Sequence, residues 1–498
     1  MELLSLINQN PWWKDPTQID QDKKIFEVDH SKNKWVPRII TYFDLQHDHV
    51  YTLRGPRQVG KTTLLKIMIR DLLQKSVTPR AVFYFTCDMI TGHQELVDTI
   101  EKYFDFNEHL TTSERRFIFI DEITSVKSWE KAIKYLVDAN KLKNTTVILT
   151  GSHSMDIKYS TERLPGRRGE TDIRTGDTLN KILVPMKFSE YVETVAPELK
   201  HELSNFFNLK KDRRYDIIFN LFSGKVDTVL LDELRLYEKE IKTLMDNYLV
   251  TGGIIRAIEG FHNKENIDNA LYEIYIRSLI GDLARWGYQE NIAKQIIRSA
   301  LNKMTTRVSL NSIAKENEIG SHNTVSSYLK SLEDSYVLNT FYQFDLNHRT
   351  ARYKKERKLY FVDPFIYHAF RGWSRGEANY FESSRDVLID NVKKGKILEM
   401  VLAGHLIRLV YNLHPSDVFS HHEQVFYWKK KGSEREVDFI FKVREEYFPV
   451  ELKYQNTISR RDMTNLFSLR KGIIVSKNKF DTFNQYSTIP IEIFLMLI

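Results

Sequence analysis

Apolar residues fall along this chain in short blocks whose spacing changes from one region to the next. Val50 and Leu53 sit in an alternating run, and after Gly55–Thr62 the positions Leu64, Leu65, Ile67, Met68, Leu72 and Leu73 recur with helical period. Ala81–Phe85, Phe117–Ile120 and Thr145–Thr150 are brief, almost wholly apolar runs. Such runs, separated by helical stretches, predict parallel strands buried on both faces in alternation with helices. From Phe188 to Ser299 the period is helical and strand signals are few, with a break at Tyr248–Ile254. Val308–Ala314 and Thr324–Leu332 read as two short helices around Ile319-Gly320-Ser321, followed by a strand through Val337, Leu338 and Phe341. That order predicts a winged helix-turn-helix. Beyond Asn391 come an apolar-faced helix starting at Lys396, a strand Val425–Trp428, and a hairpin of Glu436–Phe441 with Pro449–Lys453. The apolar stretch 489–498 reads as a last strand.

Gly55, Pro56, Arg57, Gln58, Val59, Gly60, Lys61 and Thr62 fit G-x-x-x-x-G-K-[ST], with Thr63 next, between a predicted strand and a predicted helix. Amides of a Gly-rich turn and the positive end of the following helix cradle phosphate oxygens. Lys61 then reaches the outer phosphates of ATP, and Thr62 ligates Mg²⁺. Asp121 and Glu122 end the strand Phe117–Ile120 at the edge where such sheets bind ligands. Asp121 is expected to hold Mg²⁺ through water and Glu122 to polarise the attacking water, the plainer alternative being a helix cap. Ser152 and Thr150 are candidates to sense the terminal phosphate or simply to cap a turn. Arg167 and Arg168, flanked by Gly166 and Gly169, are candidates for an arginine supplied to a neighbouring subunit, or form a solvated basic turn.

The predicted second helix of the helix-turn-helix offers His322, Asn323 and Lys330, and the stretch Arg349–Lys358 offers Arg352, Lys354 and Lys355 beside Tyr353. Both suit a nucleic-acid backbone, DNA before RNA, although such modules also serve as protein contacts and a basic stretch also forms a solvated turn. Farther on, Glu451 and Lys453 share a strand face at i, i+2, with Asp438 delivered from the neighbouring strand. Two carboxylates and a lysine can hold Mg²⁺ and activate water for phosphodiester cleavage, and Glu399 on the preceding helix adds a third carboxylate.

Composition changes this picture little. The 498 residues carry 73 Lys and Arg against 66 Asp and Glu, a net charge of +7 that permits nucleic-acid contact without demanding it. Cys87 is the single cysteine, so no disulfide can close within the chain and a reducing compartment is expected. The first residues lack a basic leader, and no apolar run approaches the roughly 18 residues that span a bilayer. A cytoplasmic protein without membrane contact is expected.

The chain resembles the prokaryotic AAA-type P-loop ATPases that carry a restriction-endonuclease-like C-terminal domain of unknown function. The resemblance rests on Gly55–Thr63, Phe119–Glu122, Leu149–Ser152, Leu164–Arg167, Pro185–Tyr191, Tyr248–Gly253, Tyr360–Asp363, Glu436–Phe439 and Val450–Lys453, in that order. It implies ATP binding and hydrolysis, with a winged helix between a helical lid and a nuclease-like domain. The doubled Arg167-Arg168 departs from the pattern and leaves open which of the two would act. The expected fold is α/β: a parallel-sheet AAA-type P-loop core, a helical lid, a winged helix-turn-helix and a restriction-endonuclease-like α/β domain. Expected boundaries are 1–49 for a lead-in packed on the ATPase, 50–190 for the core, 191–300 for the lid, 301–380 for the winged helix and connector, and 381–498 for the last domain. ATP and Mg²⁺ are the expected cofactors, and nucleic acid, further copies of the chain or a partner protein the expected contacts. The alternative is a nucleotide-dependent signalling or defence switch whose C-terminal domain docks protein without cutting.

Overall fold

A computed structural model of the chain describes residues 2–108, 114–151, 157, 178–413, 419–430, 432–433 and 435–498. These form two compact units, Met1–Val184 and Pro185–Ile498.

The first unit is built on a five-stranded, all-parallel sheet of β1 (Val50–Arg54), β2 (Val82–Thr86), β3 (Arg116–Asp121), β4 (Thr145–Thr150) and β5 (Asn180–Ile182), in the order β2-β3-β4-β1-β5. β1, β3 and β4 are interior strands. All residues of β1 and β4 are buried, which is why β4 is a continuous apolar and Thr run and β1 departs from one only at its last residue, Arg54. The edge strand β2 would present unpaired backbone groups to water. The first residues of the chain cover them: Asn10 exchanges two side-chain hydrogen bonds with the backbone of Tyr84 (2.8 and 2.6 Å), Gln9 accepts from the Thr86 amide at 2.9 Å, and both Trp12 and Trp13 donate to the Val82 carbonyl. Side chains thus stand in for a sixth strand.

In the second unit nine helices between Phe188 and Asn302 lead into Leu310–Glu316 and His322–Asp334. Ser309 and Ser321 cap the last two, each hydroxyl accepting a backbone amide three residues on. An eight-stranded sheet follows, made of β6 (Leu338–Asp345), β7 (Thr350–Phe361), β8 (Val425–Lys429), β9 (Glu436–Val443), β10 (Glu446–Lys453), β11 (Gly472–Ser476), β12 (Asp481–Phe483) and β13 (Tyr486–Pro490). Its order is β12-β13-β11-β10-β9-β8-β6-β7. The hairpin β6–β7, expected to belong with the helix-turn-helix, therefore continues the sheet of the last domain through the β6–β8 pairing. A boundary at 380/381 divides one sheet, and the helices after Phe188 group with that sheet's unit. The C-terminal expectation also needs correction: the strand ends at Pro490, and Ile491–Leu497 is a buried helix. Pro490, the last residue of the strand, is the N-cap of the helix, at φ −57° and ψ 141°. Among the described residues no helix is long and apolar enough to cross a membrane.

Residues 185–190 tie this unit together. Arg408, on the helix Asn391–Leu413, holds both carboxylate oxygens of buried Glu190 and the Pro185 carbonyl. His405, one turn earlier, accepts the Phe188 amide at 2.9 Å while its other ring nitrogen donates to the Val401 carbonyl. Both ring nitrogens are thus committed to the neutral imidazole, and burial pushes the pKa of His405 down to about 3 and that of buried His368 to about 4. A depressed pKa gives stability that is present above the unfolded value near 6.5 and lost as pH falls toward the folded value. We expect the second unit to lose roughly 1.4 kcal/mol per pH unit for each of these histidines as pH drops below about 6.5. Urea unfolding of wild type and His405→Gln between neutral and mildly acid pH checks this: the variant should lose one histidine's share of the acid dependence.

Candidate functional site

The segment 55–62 joins β1 to the helix Lys61–Gln74, as its glycines require. Gly60 precedes the helix at φ 99°. Gly55 sits at φ 151°, and a Cβ there would stand 2.0 Å from the Leu183 carbonyl oxygen, so a side chain has no room. Lys61 is buried, and its ammonium is held by the carbonyls of Gly55 and Pro56, each at 3.0 Å. Thr62 donates to Asp121 Oδ2 at 2.7 Å, which brings the loop to the end of β3. The Tyr84 hydroxyl donates to the same oxygen at 3.1 Å, and the Glu122 amide to Oδ1 at 3.0 Å. Burial raises the Asp121 pKa and Glu122 adds to it, while the two hydroxyls and the amide oppose. Glu122 takes the left-handed conformation at φ 50°, a strain a glutamate adopts only where the surroundings impose it. The structure therefore assembles Gly55, Pro56, Arg57, Gln58, Val59, Gly60, Lys61, Thr62, Thr63, Asp121 and Glu122 around one strand edge. Ser152, Arg167 and Arg168 lie outside the described residues.

No local pattern announces the wall behind Asp121. The buried Lys66 ammonium lies 3.5 Å from the Tyr84 ring centroid and 3.1 Å from Asp22, so a cation–π contact and an ion pair back the tyrosine that binds Asp121.

The second constellation sits on β9, β10 and the helix Asn391–Leu413. Asp438 and Glu451 are tied reciprocally through the backbone: the Asp438 amide donates to Glu451 Oε2 at 3.2 Å, and the Leu452 amide to Asp438 Oδ2 at 3.0 Å. Lys453 pairs with Glu451 Oε1 at 2.6 Å, and Asn465 reaches the same oxygen at 3.4 Å. The unforeseen member is Lys358. Near the end of β7 and 1% exposed, its ammonium stands 2.7 Å from Glu436 Oε1, 3.0 Å from Asp438 Oδ1 and 3.4 Å from Glu399 Oε1. The Tyr360 hydroxyl donates to Glu399 Oε1 at 2.6 Å. Burial and the Asp438 charge raise Glu399 to about 8 and Glu451 to about 7, with the lysines opposing. For Lys358, burial alone would lower the pKa, but Tyr360 and the three carboxylates outweigh it and hold the group charged. The structure brings Glu399, Asp438, Glu451 and Lys453 together. As arranged, both oxygens of Asp438 and both of Glu451 already accept donors, and a divalent ion does not fit without expelling one.

Of the predicted nucleic-acid contacts, His322, Asn323 and Lys330 are exposed on the helix His322–Asp334, and Lys354 and Lys355 are exposed on β7. Arg352 is half-buried and donates to Asp345 at 2.8 Å. Pairing along β7 slips here: Arg357 faces Tyr342 and Arg352 faces Gln343, so residues 353–356 bulge out of the ladder. A further group, Glu333, His421 and His422, brings one oxygen and two ring nitrogens within 4.8 Å of one another, a donor set able to hold a metal. In this conformation both rings lie against Glu333 Oε1, at 3.1 and 2.8 Å.

With this geometry in place, known proteins add the following. Residues 47–192 match the family described as AAA domain, residues 242–377 a domain of unknown function designated DUF8612, and residues 394–494 a domain of unknown function designated DUF4143. An uncharacterized protein of Methanocaldococcus jannaschii is 23% identical over 355 residues, covering 71% of this chain and 65% of the relative, so the match spans just under two thirds of that protein's length. An uncharacterized protein of Haemophilus influenzae is 21% identical over 459 residues, covering 91% of this chain and 94% of the relative. Among solved structures, Cdc6p of Pyrobaculum aerophilum is 13% identical with a TM-score of 0.24, covering 73% of this chain and 95% of that one. RuvB of Thermotoga maritima is 16% identical with a TM-score of 0.22, covering 68% and 89%. Scores this low carry no weight for the fold; the AAA match does. Residues 47–192 are an AAA-type P-loop domain.

The crowding at Gly55 sets a test. Gly55→Ala should lower thermal stability more than Gly60→Ala, which meets nothing within 4 Å and suffers only its positive φ, about 1 kcal/mol. It should also weaken binding of a fluorescent ATP analogue by at least about tenfold, since the loop must move away from Leu183.

Proposed function

We propose that this chain binds and hydrolyses ATP with Mg²⁺, binds DNA, and uses the nucleotide to control its C-terminal nuclease-like domain. The observation that carries the ATPase reading is the juxtaposition of Lys61, Thr62 and Asp121 at the end of β1 and β3, with Glu122 beside them in a strained conformation. The residues fit the group they would hold. Among the partners of Lys61 are two neutral carbonyls that a phosphate outcompetes, because charge-assisted hydrogen bonds are roughly twice as strong as neutral ones. Thr62 and Asp121 offer adjacent oxygens for Mg²⁺, which neutralises charge as the terminal phosphoryl group departs. Glu122 is the residue that orients water, and its neighbour Asp121 cannot share that task while it holds Thr62 and Tyr84. Arg167 or Arg168 would act from a neighbouring subunit in an oligomer.

For DNA, the reading rests on the exposed His322, Asn323 and Lys330 of a capped helix in a helix-turn-helix order, and on Lys354 and Lys355 at the bulge of β7. The winged-helix assignment belongs to this proposal, with β6–β7 as its wing although the hairpin also extends the larger sheet.

One observation favours the second reading, a nucleotide-dependent switch whose last domain docks protein. Lys358 and Lys453 already neutralise the carboxylates that would hold Mg²⁺ for cleavage, with Asp438, Glu451 and Lys453 as the catalytic group. Cleavage in the conformation described here is therefore not expected.

Two measurements test the proposal. Glu122→Gln should bind ATP as wild type does and hydrolyse it roughly 100-fold or more slowly, whereas Lys61→Ala should lose binding; wild-type turnover retained by both sinks the ATPase assignment. By fluorescence anisotropy, reversing Lys354 and Lys355 to Glu should weaken duplex DNA binding at least about tenfold and flatten its salt dependence. Absence of DNA binding by wild type leaves the docking switch.

A further inference from the structure

We infer that the ammonium of Lys358 is the resident cation of the Asp438–Glu451 cluster and closes that group to divalent metal in this conformation. The inference rests on the nuclease-like reading of the cluster proposed above, and the test below separates the two.

Three elements place the charge. β7 supplies Lys358, β9 supplies Glu436 and Asp438, and the helix Asn391–Leu413 supplies Glu399. All three carboxylates stand within 3.4 Å of one nitrogen that is 1% exposed. Nothing in the ladder demands a lysine here. Lys358 pairs by backbone with Phe341, and the residues after it, Leu359 to Phe361, are all buried apolar or aromatic groups. A buried ammonium among them is tolerated only because the carboxylates meet it, and the carboxylates are tolerated only because it meets them.

An ammonium and a hard divalent ion ask for the same oxygens but cannot share them. Mg²⁺ or Mn²⁺ sits about 2.0–2.2 Å from its oxygen ligands, whereas Lys358 fills the space between Glu399 and Asp438 at hydrogen-bond distance. The other oxygens of Asp438 and Glu451 are taken as well. Asp438 Oδ2 and Glu451 Oε2 are held by backbone amides, and Glu451 Oε1 by Lys453. A metal entering beside Lys358 would face an uncompensated like charge at short range, so entry requires the ammonium to leave. Lys358 and Arg357 stay paired with Phe341 and Tyr342, so it is the side chain of Lys358 rather than the strand that has to move.

Mn²⁺ binding to the full-length, nucleotide-free chain, read from the loss of the free-ion electron paramagnetic resonance signal, tests this. Lys358→Met and Lys358→Gln should each gain a site at least about tenfold tighter than any Asp438-dependent site in wild type, a shift well outside measurement error. Adding Asp438→Asn should abolish it. Should the lysine variants prove only marginally folded, a rise in their melting temperature with Mn²⁺, absent once Asp438 is Asn, reports the same gain. The inference is overturned if wild type already binds Mn²⁺ through Asp438 as tightly as the variants, or if neither variant gains a site. A metal-loaded Lys358→Gln that cuts neither single- nor double-stranded DNA removes the nuclease reading and leaves the cation assignment standing.

Discussion

A charge taken out of water has to be met by another, and the second unit is arranged around one such meeting. Lys358, Glu399, Glu436, Asp438 and Glu451 come from three strands and one helix, yet they form one cluster, capped by Lys453 and Tyr360. Removing a single partner from a buried ionic group costs about 3–5 kcal/mol, because the charge left behind has nowhere to go. The cluster therefore constrains the register of β9 against β10, the approach of the helix Asn391–Leu413, and the end of β7 all at once.

The two lysine sites of the chain differ in what holds the ammonium, and that difference sorts their chemistry. Lys61 has the Gly55 and Pro56 carbonyls among its partners, neutral acceptors that give way when a charged oxygen appears. Lys358 rests on three carboxylates and has no stronger partner to move to. The first has neutral acceptors to exchange for a phosphate, and the second is met by charge on three sides. Both oxygens of Asp121 also accept donors, but a divalent ion carried in with its nucleotide has only a neutral hydroxyl to displace there, whereas beside Asp438 it has to displace an ammonium.

Much of this was readable from the sequence where local chemistry decides. The phosphate loop declares itself because its glycines, lysine and threonine occupy fixed places, and the continuous apolar runs 117–120 and 145–150 announce interior parallel strands. Glu451 and Lys453 were placed on one face by spacing, and Asp438 by the hairpin that the turn after Val443 dictates. What failed to show were contacts between distant segments. Lys358 reads as the last of a basic stretch, since Arg352, Lys354, Lys355 and Arg357 precede it. Only the change at Leu359 to an apolar run, with Tyr360 two residues on, hints that the strand turns inward there. The pairing of β6 with β8 is one residue pair wide and leaves no trace in either strand, so the sheet's continuity across the expected boundary was invisible. The C-terminal helix was hidden because 491–498 is buried throughout, and a segment that short, apolar except at Glu492, has no period to read. Asn10, Trp12 and Trp13 act through hydrogen bonds to the edge of β2 that no pattern in the lead-in announces.

Anomalous diffraction from crystals grown with Mn²⁺ and a non-hydrolysable ATP analogue would measure the central claim directly. A manganese peak is expected between Thr62, Asp121 and the nucleotide, and none among Glu399, Asp438 and Glu451, where the Lys358 ammonium remains. A manganese peak at Asp438 with Lys358 still seated beside it would contradict the account, as would nucleotide bound anywhere but the loop 55–62.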